Sequence, residues 1–143
     1  MQTLTQLLED KGGLPIVVSP RDNVYHALSV MADNDVGAVL VMDGEKLVGI
    51  FSERDYARKV ILSGRNSRET MIEAVMTHKV AYVTQRNSIE ECMSLMTQHR
   101  FRHLPVLDED LQVLGVISMG DLVKATISHQ EFIISQLERY ISG

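Results

Sequence analysis

Two short stretches of this chain carry the same polar signature. Gly49-Ile50-Phe51-Ser52-Glu53-Arg54-Asp55 and Gly115-Val116-Ile117-Ser118-Met119-Gly120-Asp121 each run glycine, two apolar residues, serine, two variable residues, aspartate. A Ser-x-x-Asp directly after an apolar run has the form of a capping box, in which hydroxyl and carboxylate satisfy N–H groups left unpaired in a first helical turn. The same groups also suit a ligand. A serine hydroxyl and free N–H groups at a helix start fit a phosphate, and an aspartate one turn in accepts both hydroxyls of a ribose. The residues alone leave both readings open. A third stretch is Arg100-Phe101-Arg102-His103-Leu104-Pro105-Val106. Alternation along an extended chain would set Arg100 and Arg102 on one side, where the guanidinium fork matches phosphate and His103 donates a further bond. The plainer reading is a solvated basic turn ahead of a core strand. The matching place in the first half, Val36-Gly37-Ala38, has no charge, so two sites built on these motifs would be unequal.

No comparable pattern points to catalysis. Gly-x-Ser-x-Gly, the phosphate loop Gly-x-x-x-x-Gly-Lys-[Ser/Thr] and Cys-x-x-Cys are all absent. Only His99 and His103 have helical metal-pair spacing, and the strand expected at Leu104 breaks that face. Cys92 falls on an apolar helical face, the place of a core thiol rather than a nucleophile. No catalytic residue and no metal site is therefore expected. A single cysteine also excludes an intramolecular disulfide and points to a reducing compartment.

These motifs must be positioned by something, and an internal repeat supplies it. When the sequence is slid along itself until Val18 falls on Val83, Asn23-Val24 falls on Ser88-Ile89, and Met31 on Met96. Val41-Met42-Asp43 falls on Val106-Leu107-Asp108, and one inserted residue later the two Gly-x-x-Ser-x-x-Asp motifs coincide. Each half opens with a short β-rich run, Ile16-Val17-Val18 or Val80-Ala81-Tyr82-Val83. Each then has a helix capped by Asn23 or Ser88, with apolar faces at Val24, Ala27, Leu28, Met31 and at Ile89, Cys92, Met93, Met96. Two apolar runs around a turn predict a hairpin in each half, and a second helix starts at Ser52 or Ser118. The fold class expected is α/β (α+β): two β-α-β-β-α repeats with a short N-terminal helix and a long C-terminal one. The divisions are a lead-in over 1–15, repeats over 16–62 and 75–127, a polar linker over 63–74 that returns to the core at Ile72, Val75 and Met76, and an amphipathic tail over 128–143. That tail is expected to pack on its own domain or across a homodimer.

Composition limits the partners. The chain has 143 residues, 45% of them apolar, and a net charge of −5, which argues against nucleic-acid binding through bulk charge. No stretch approaches the roughly 18 apolar residues of a membrane span. The segment Met1–Asp10 has no basic stretch followed by an apolar one, so a secretory signal is not expected and cytoplasmic is the default location.

The duplicated order of strand, helix, a strand with [His/Arg]-x-Pro-Val, and Gly-x-x-Ser-x-x-Asp resembles a tandem cystathionine-β-synthase (CBS) domain pair, the Bateman module. The resemblance covers residues 16–127. Ser52-Glu53-Arg54-Asp55-Tyr56-Ala57-Arg58-Lys59, with Arg102-His103-Leu104-Pro105-Val106 and Ser118-Met119-Gly120-Asp121, is similar to small stand-alone CBS proteins. It implies a regulatory sensor with adenosyl ligands in clefts between two repeats related by a pseudo-two-fold axis. AMP is the leading ligand, with NAD, ADP, ATP and S-adenosylmethionine as alternatives. By resemblance Asp55 and Asp121 take ribose hydroxyls, Ser52 and Ser118 sit near phosphate, and Ser19 and Thr84 line the clefts. Val36, Gly37 and Ala38 offer backbone to the adenine, with Arg54 and Pro105 in the same motifs. Arg100, Arg102 and His103 are brought toward the Asp55 cleft, which is the one expected to hold a charged nucleotide; the Asp121 cleft is expected to be weaker, different or empty. A homodimer of CBS pairs and a separate regulated protein are the implied partners. The alternative is a dimerisation or interaction scaffold without ligand sensing, in which Ser-x-x-Asp survives as a helix cap.

Overall fold

A computed structural model of the chain describes residues 2–142. In chain order its elements are α1 (Leu4–Lys11), β1 (Val17–Val18), α2 (Val24–Asn34), β2 (Ala38–Asp43), β3 (Lys46–Ser52), α3 (Glu53–Asp55), β4 (Val83–Thr84), α4 (Ile89–His99), β5 (His103–Leu107), β6 (Val113–Ser118) and α5 (Met119–Ser142). A wider π-helical turn over Tyr56–Ile61 continues α3, and a 3-10 turn covers Ile72–Ala74. The α+β class and the duplicated β-α-β-β-α order expected from the sequence are what the chain forms.

The chain divides into two compact units, Leu14–Ala81 and the residues up to Gly13 together with those from Tyr82 onward. Each holds one three-stranded sheet, ordered β1-β2-β3 or β4-β5-β6. The first strand of each sheet runs parallel to the second, and the second and third form an antiparallel hairpin. The two hairpins slip register at matching places, between Val41 and Met42 and between Val106 and Leu107.

In the unit Leu14–Ala81, Asn23 accepts the His26 N–H at 2.8 Å and starts α2, which buries Val24, Ala27 and Met31. These pack with Val39, Val41 and Phe51 of the hairpin and with Val60. Ile72, Val75 and Met76 join the same core. Residues up to Ala81 thus belong to the compact unit that holds the first sheet. In the other unit Ser88 and Glu91 form a full capping box at the start of α4. Ile89, Cys92 and Met96 of α4 meet Leu104, Val106 and Ile117 of the hairpin, Leu122 and Ala125 of α5, and Leu4 and Leu7 of α1. Burial pushes the Cys92 thiol up to about 11, with a further push from neighbouring Glu91, so it stays a protonated core thiol.

One difference between the halves has a simple cause. The run Val80–Val83 was expected to form the opening strand, but β4 is only Val83–Thr84. In the first sheet the Leu40 N–H donates to Ile16 O at 3.1 Å and Val17 pairs with Leu40. Pro105 stands where Leu40 stands, opposite Val116 as Leu40 is opposite Ile50. A proline has no N–H to give, so the second sheet's first pairing begins one residue later.

Helix α5 runs unbroken from the capping motif to Ser142. It is anchored only at its start, by Leu122 and Ala125, and its apolar residues from Ile127 to Ile141 are exposed. No helix among the described residues is long and apolar enough to cross a membrane.

Candidate functional site

Each hairpin ends on a serine that caps the next helix. Ser52 Oγ accepts the Asp55 N–H at 3.2 Å, while the Asp55 carboxylate accepts the Ser52 N–H at 3.0 Å and its hydroxyl at 3.1 Å, both on Oδ2. The other oxygen, Oδ1, accepts the Thr77 hydroxyl at 3.1 Å and pairs with Lys59 Nζ at 3.0 Å. Asp55 is thus a buried carboxylate, 8% exposed, with both oxygens engaged. A charge at this depth needs such partners.

The second copy repeats the cap and changes the cover. Asp121 Oδ2 accepts the Ser118 N–H at 2.8 Å, and the Asp121 N–H donates to Ser118 Oγ at 3.1 Å. The same Oδ2 pairs with Lys11 Nζ, from the end of α1, at 2.8 Å, and Lys11 also donates to Val116 O at 2.9 Å. Burial pushes the Asp121 carboxyl up, but the Lys11 and Ser118 hydrogen bonds and the Lys11 charge outweigh it, so the group is held below the ordinary carboxylate range.

The glycine of each motif has a packing reason. A Cβ on Gly49 would stand 2.5 Å from Met76 Sδ and 3.0 Å from Thr77 O, and one on Gly115 would stand 2.7 Å from Leu8 Cδ2. A covering segment lies directly on the strand at both places. Over Gly49 it is the stretch around Thr77, whose N–H donates to Ile50 O at 2.9 Å. Over Gly115 it is α1.

The remaining expected residues fall around these two caps. Ser19 and Thr84 end the first strands, and each sits in a small turn. The Ser19 N–H donates to Asp22 Oδ2 at 2.8 Å, and the Thr84 N–H donates to Asn87 Oδ1 at 2.9 Å. Gly37 O accepts the Glu53 N–H at 3.0 Å, and Arg102 O accepts the Met119 N–H at 2.9 Å. The backbones of Gly37 and Arg102 thus hold equivalent places beside the two caps. Ala38 faces Ser52, and His103 faces Ser118, in register. Val36 closes the turn after α2 through its N–H to Met31 O at 3.0 Å. Arg54 is an exposed residue of α3, and Pro105 is buried. Strand alternation does not reach Arg100: it is the left-handed end of α4, with φ 58°, and β5 begins only at His103. Arg100 and Arg102 are therefore not successive outward positions of one strand.

Three residues at these carboxylates escaped the sequence reading. Lys59 had a readable signal, the i,i+4 spacing from Asp55. Thr77 and Lys11 had none, because each meets its carboxylate from a segment far along the chain that no repeat or periodicity links to it. Among the described residues no cluster of metal-ligating side chains is present. An open groove of about 450 Å³ is lined by Gln2, Gln6, Glu9, Asp10, His129 and Phe132, with neither Asp55 nor Asp121 in its lining.

The duplicated sheet-and-helix unit with a matching capped aspartate defines a tandem-repeat module. The model of the CBS domain matches residues 15–62 and 72–128, and the chain belongs to the CBS-domain family. It is 37% identical over 150 residues to the mitochondrial CBS domain-containing protein CBSX3 of Arabidopsis thaliana, covering 99% of this chain and 72% of that one. A putative signal-transduction protein with CBS domains from Burkholderia ambifaria MC40-6 superposes with a TM-score of 0.85 at 49% identity, over 90% of this chain and 96% of the other. The structure of CBSX2 in complex with AMP superposes with a TM-score of 0.66 at 26% identity, over 80% and 88% of the two chains.

Proposed function

We propose that this protein is a regulatory sensor of an adenine nucleotide, AMP foremost, bound by its pair of CBS repeats and read out by a partner protein. NAD, ADP, ATP and S-adenosylmethionine are the alternative ligands. The observation that carries the reading is the buried Asp55 carboxylate, held by Ser52, Thr77 and Lys59 with both oxygens aligned. A vicinal diol can exchange for these neutral and cationic donors without stranding the charge, because each ribose hydroxyl brings its own O–H. That CBSX2 takes AMP supports the choice. In this reading Arg102 and His103 serve the phosphate of the ligand at Asp55, with Arg54 and Arg100 adding charge. Ser19, Thr84 and the backbone at Val36 to Ala38 line the pockets, and Pro105 shapes the strand behind one of them. The role is regulatory rather than catalytic, in the cytoplasm, with neither nucleic acid nor membrane as partner.

Self-association belongs to the same proposal. Val123, Ile127, Gln130, Ile134, Leu137 and Ile141 alternate in steps of four and three along α5, the spacing of a coiled-coil seam. The apolar members are exposed, Leu137 at 56% and Ile141 at 82%. The occupant we propose for this seam is a second copy of the chain.

Thermal melting with AMP, ADP, ATP, NAD and S-adenosylmethionine tests the sensor. A ligand at 100 times its Kd adds about 2.7 kcal/mol, a shift of several degrees. Absence of a shift with all five would reject sensing and leave the scaffold reading. Arg102→Ala is expected to weaken AMP much more than adenosine; equal losses would remove Arg102 from the phosphate.

A further inference from the structure

The two carboxylates are alike in their caps and unlike in what covers them. Over the first, Thr77 gives two hydrogen bonds: its N–H to Ile50 O at 2.9 Å and its hydroxyl to Asp55 Oδ1 at 3.1 Å. Over the second, one ammonium gives both, since Lys11 Nζ donates to Val116 O at 2.9 Å and to Asp121 Oδ2 at 2.8 Å. Val116 and Ile50 hold the same position in their hairpins, as Asp121 and Asp55 do after them. A lysine side chain has thus taken the place of a threonine.

That lysine is firmly presented. A Thr3–Gln6 capping box starts α1, Leu4 and Leu7 are buried in the core, and Leu8 rests on Gly115. Lys11 is the last residue of this anchored helix, ahead of Gly12 and Gly13, which turn the chain away at φ 69° and 74°. Asp55 has a lysine as well, Lys59 at 3.0 Å, but it lies one turn along from Asp55 itself. Lys11 instead reaches in from a separate anchored helix, is tied to the Val116 carbonyl too, and stands where the first carboxylate has a hydroxyl. A threonine hydroxyl is neutral and rotates, so it can give up Asp55 and accept from an arriving hydroxyl. An ammonium only donates, and its bond to a carboxylate is charge-assisted and stronger. Displacing it breaks two bonds at once, one to Asp121 and one to the Val116 carbonyl.

We propose that Lys11 is a specificity-determining residue that makes the two ligand positions unequal: it competes with the ribose diol for Asp121, so that the Asp55 position fills first. The proposal rests on the sensor reading and adds to it which residue sets the difference. The competitor belongs to the same chain, so its effective concentration is fixed by the anchoring of α1.

Calorimetric titration with adenosine and with AMP tests it, adenosine reporting the diol without a phosphate to attract the lysine. The proteins are the full chain, Lys11→Met, Lys11→Gln and Lys11→Met with Asp121→Ala. The full chain is expected to take one adenosine. Lys11→Met keeps the stem that packs beside α1 and is expected to take two, the second position gaining at least tenfold in affinity and vanishing again with Asp121→Ala. Lys11→Gln should do the same and guards against a packing defect in the methionine variant; unchanged circular dichroism confirms the fold of each. Unchanged stoichiometry and affinity in both variants would overturn the role of Lys11 while leaving the sensor standing. Weaker binding in both would overturn it too, by making the lysine a ligand contact. Absence of binding to every protein would remove the sensor reading and this inference with it.

Discussion

Replacing Asp55 by asparagine and, in parallel, by alanine separates its structural duty from its proposed duty to a ligand. The carboxylate accepts two bonds from Ser52 and one from Thr77, and it pairs with a Lys59 whose side chain is 43% exposed. Hydrogen bonds to a charged group contribute about 1.5–3 kcal/mol each, whereas a half-exposed ion pair contributes about 0–1 kcal/mol. The Asp55 N–H to Ser52 bond is main chain on the Asp55 side and survives either change. With Thr77 and the Ser52 donors free to turn toward water, Asp55→Ala is expected to cost about 2–4 kcal/mol of stability. Asp55→Asn keeps one acceptor oxygen for the Ser52 N–H and is expected to cost about 1–2 kcal/mol. Binding should behave otherwise. A diol needs both oxygens, so asparagine loses one charge-assisted bond and the negative charge, a fall of about tenfold to a hundredfold in AMP affinity at 1.4 kcal/mol per decade. Urea titration by circular dichroism measures the first quantity and calorimetry the second. If Asp55→Asn bound AMP as tightly as the parent while both variants lost stability, Asp55 would be a helix cap and nothing more.

Asp121 gives a pH dependence. Its folded value is depressed, so its contribution is complete above the ordinary carboxylate range near 4 and is lost as pH falls through the folded value. Lys11→Met should raise the acid-unfolding midpoint; superimposable acid titrations would show that the lysine does not hold this carboxylate. Cys92 titrates in the opposite sense. Its value is raised to about 11, so the unfolded chain loses the proton first and stability falls as pH climbs from about 9 toward 11. The parent's advantage over Cys92→Ala should shrink over that range, and the native thiol should resist disulfide reagents at pH 8; rapid labelling of the folded protein would contradict the burial. On α5, Leu137→Glu is expected to turn a dimer into a monomer in light scattering at micromolar concentration with helix content nearly kept; a parent that is already monomeric would dispose of the seam.

Much of the fold was legible because it was written twice. The caps at Asn23, Ser88, Ser52 and Ser118, the hairpins and the long last helix all carry local signals that the second copy reinforced. The misplacements have tertiary causes. Val80–Tyr82 has the residue types of a strand, but Pro105 removes the N–H that would have paired it. Which core receives Ile72, Val75 and Met76 is likewise not visible in a sequence, where only their apolar character is. Arg100 stood in a pattern of alternation that a left-handed helix end interrupts. The aspartates themselves could be named from their motif. Thr77 and Lys11 could not, since each meets its carboxylate from a segment that no periodicity links to it.

The order of these segments along the chain has a further consequence during synthesis. The core that Ile72, Val75 and Met76 complete is made entirely of residues 14–81, so it can close as soon as that length has emerged. Helix α1 is made before that core and has to wait. Its place, against Gly115, Leu122 and Ala125, is not made until more than a hundred residues have been added, which at about 5–20 residues per second means several seconds of exposure. Throughout that interval Leu4, Leu7 and Leu8 are an unsheltered apolar face beside an unpaired lysine. Helix α1 is thus made early and seated late, and the growing chain carries a sticky segment for a chaperone to cover.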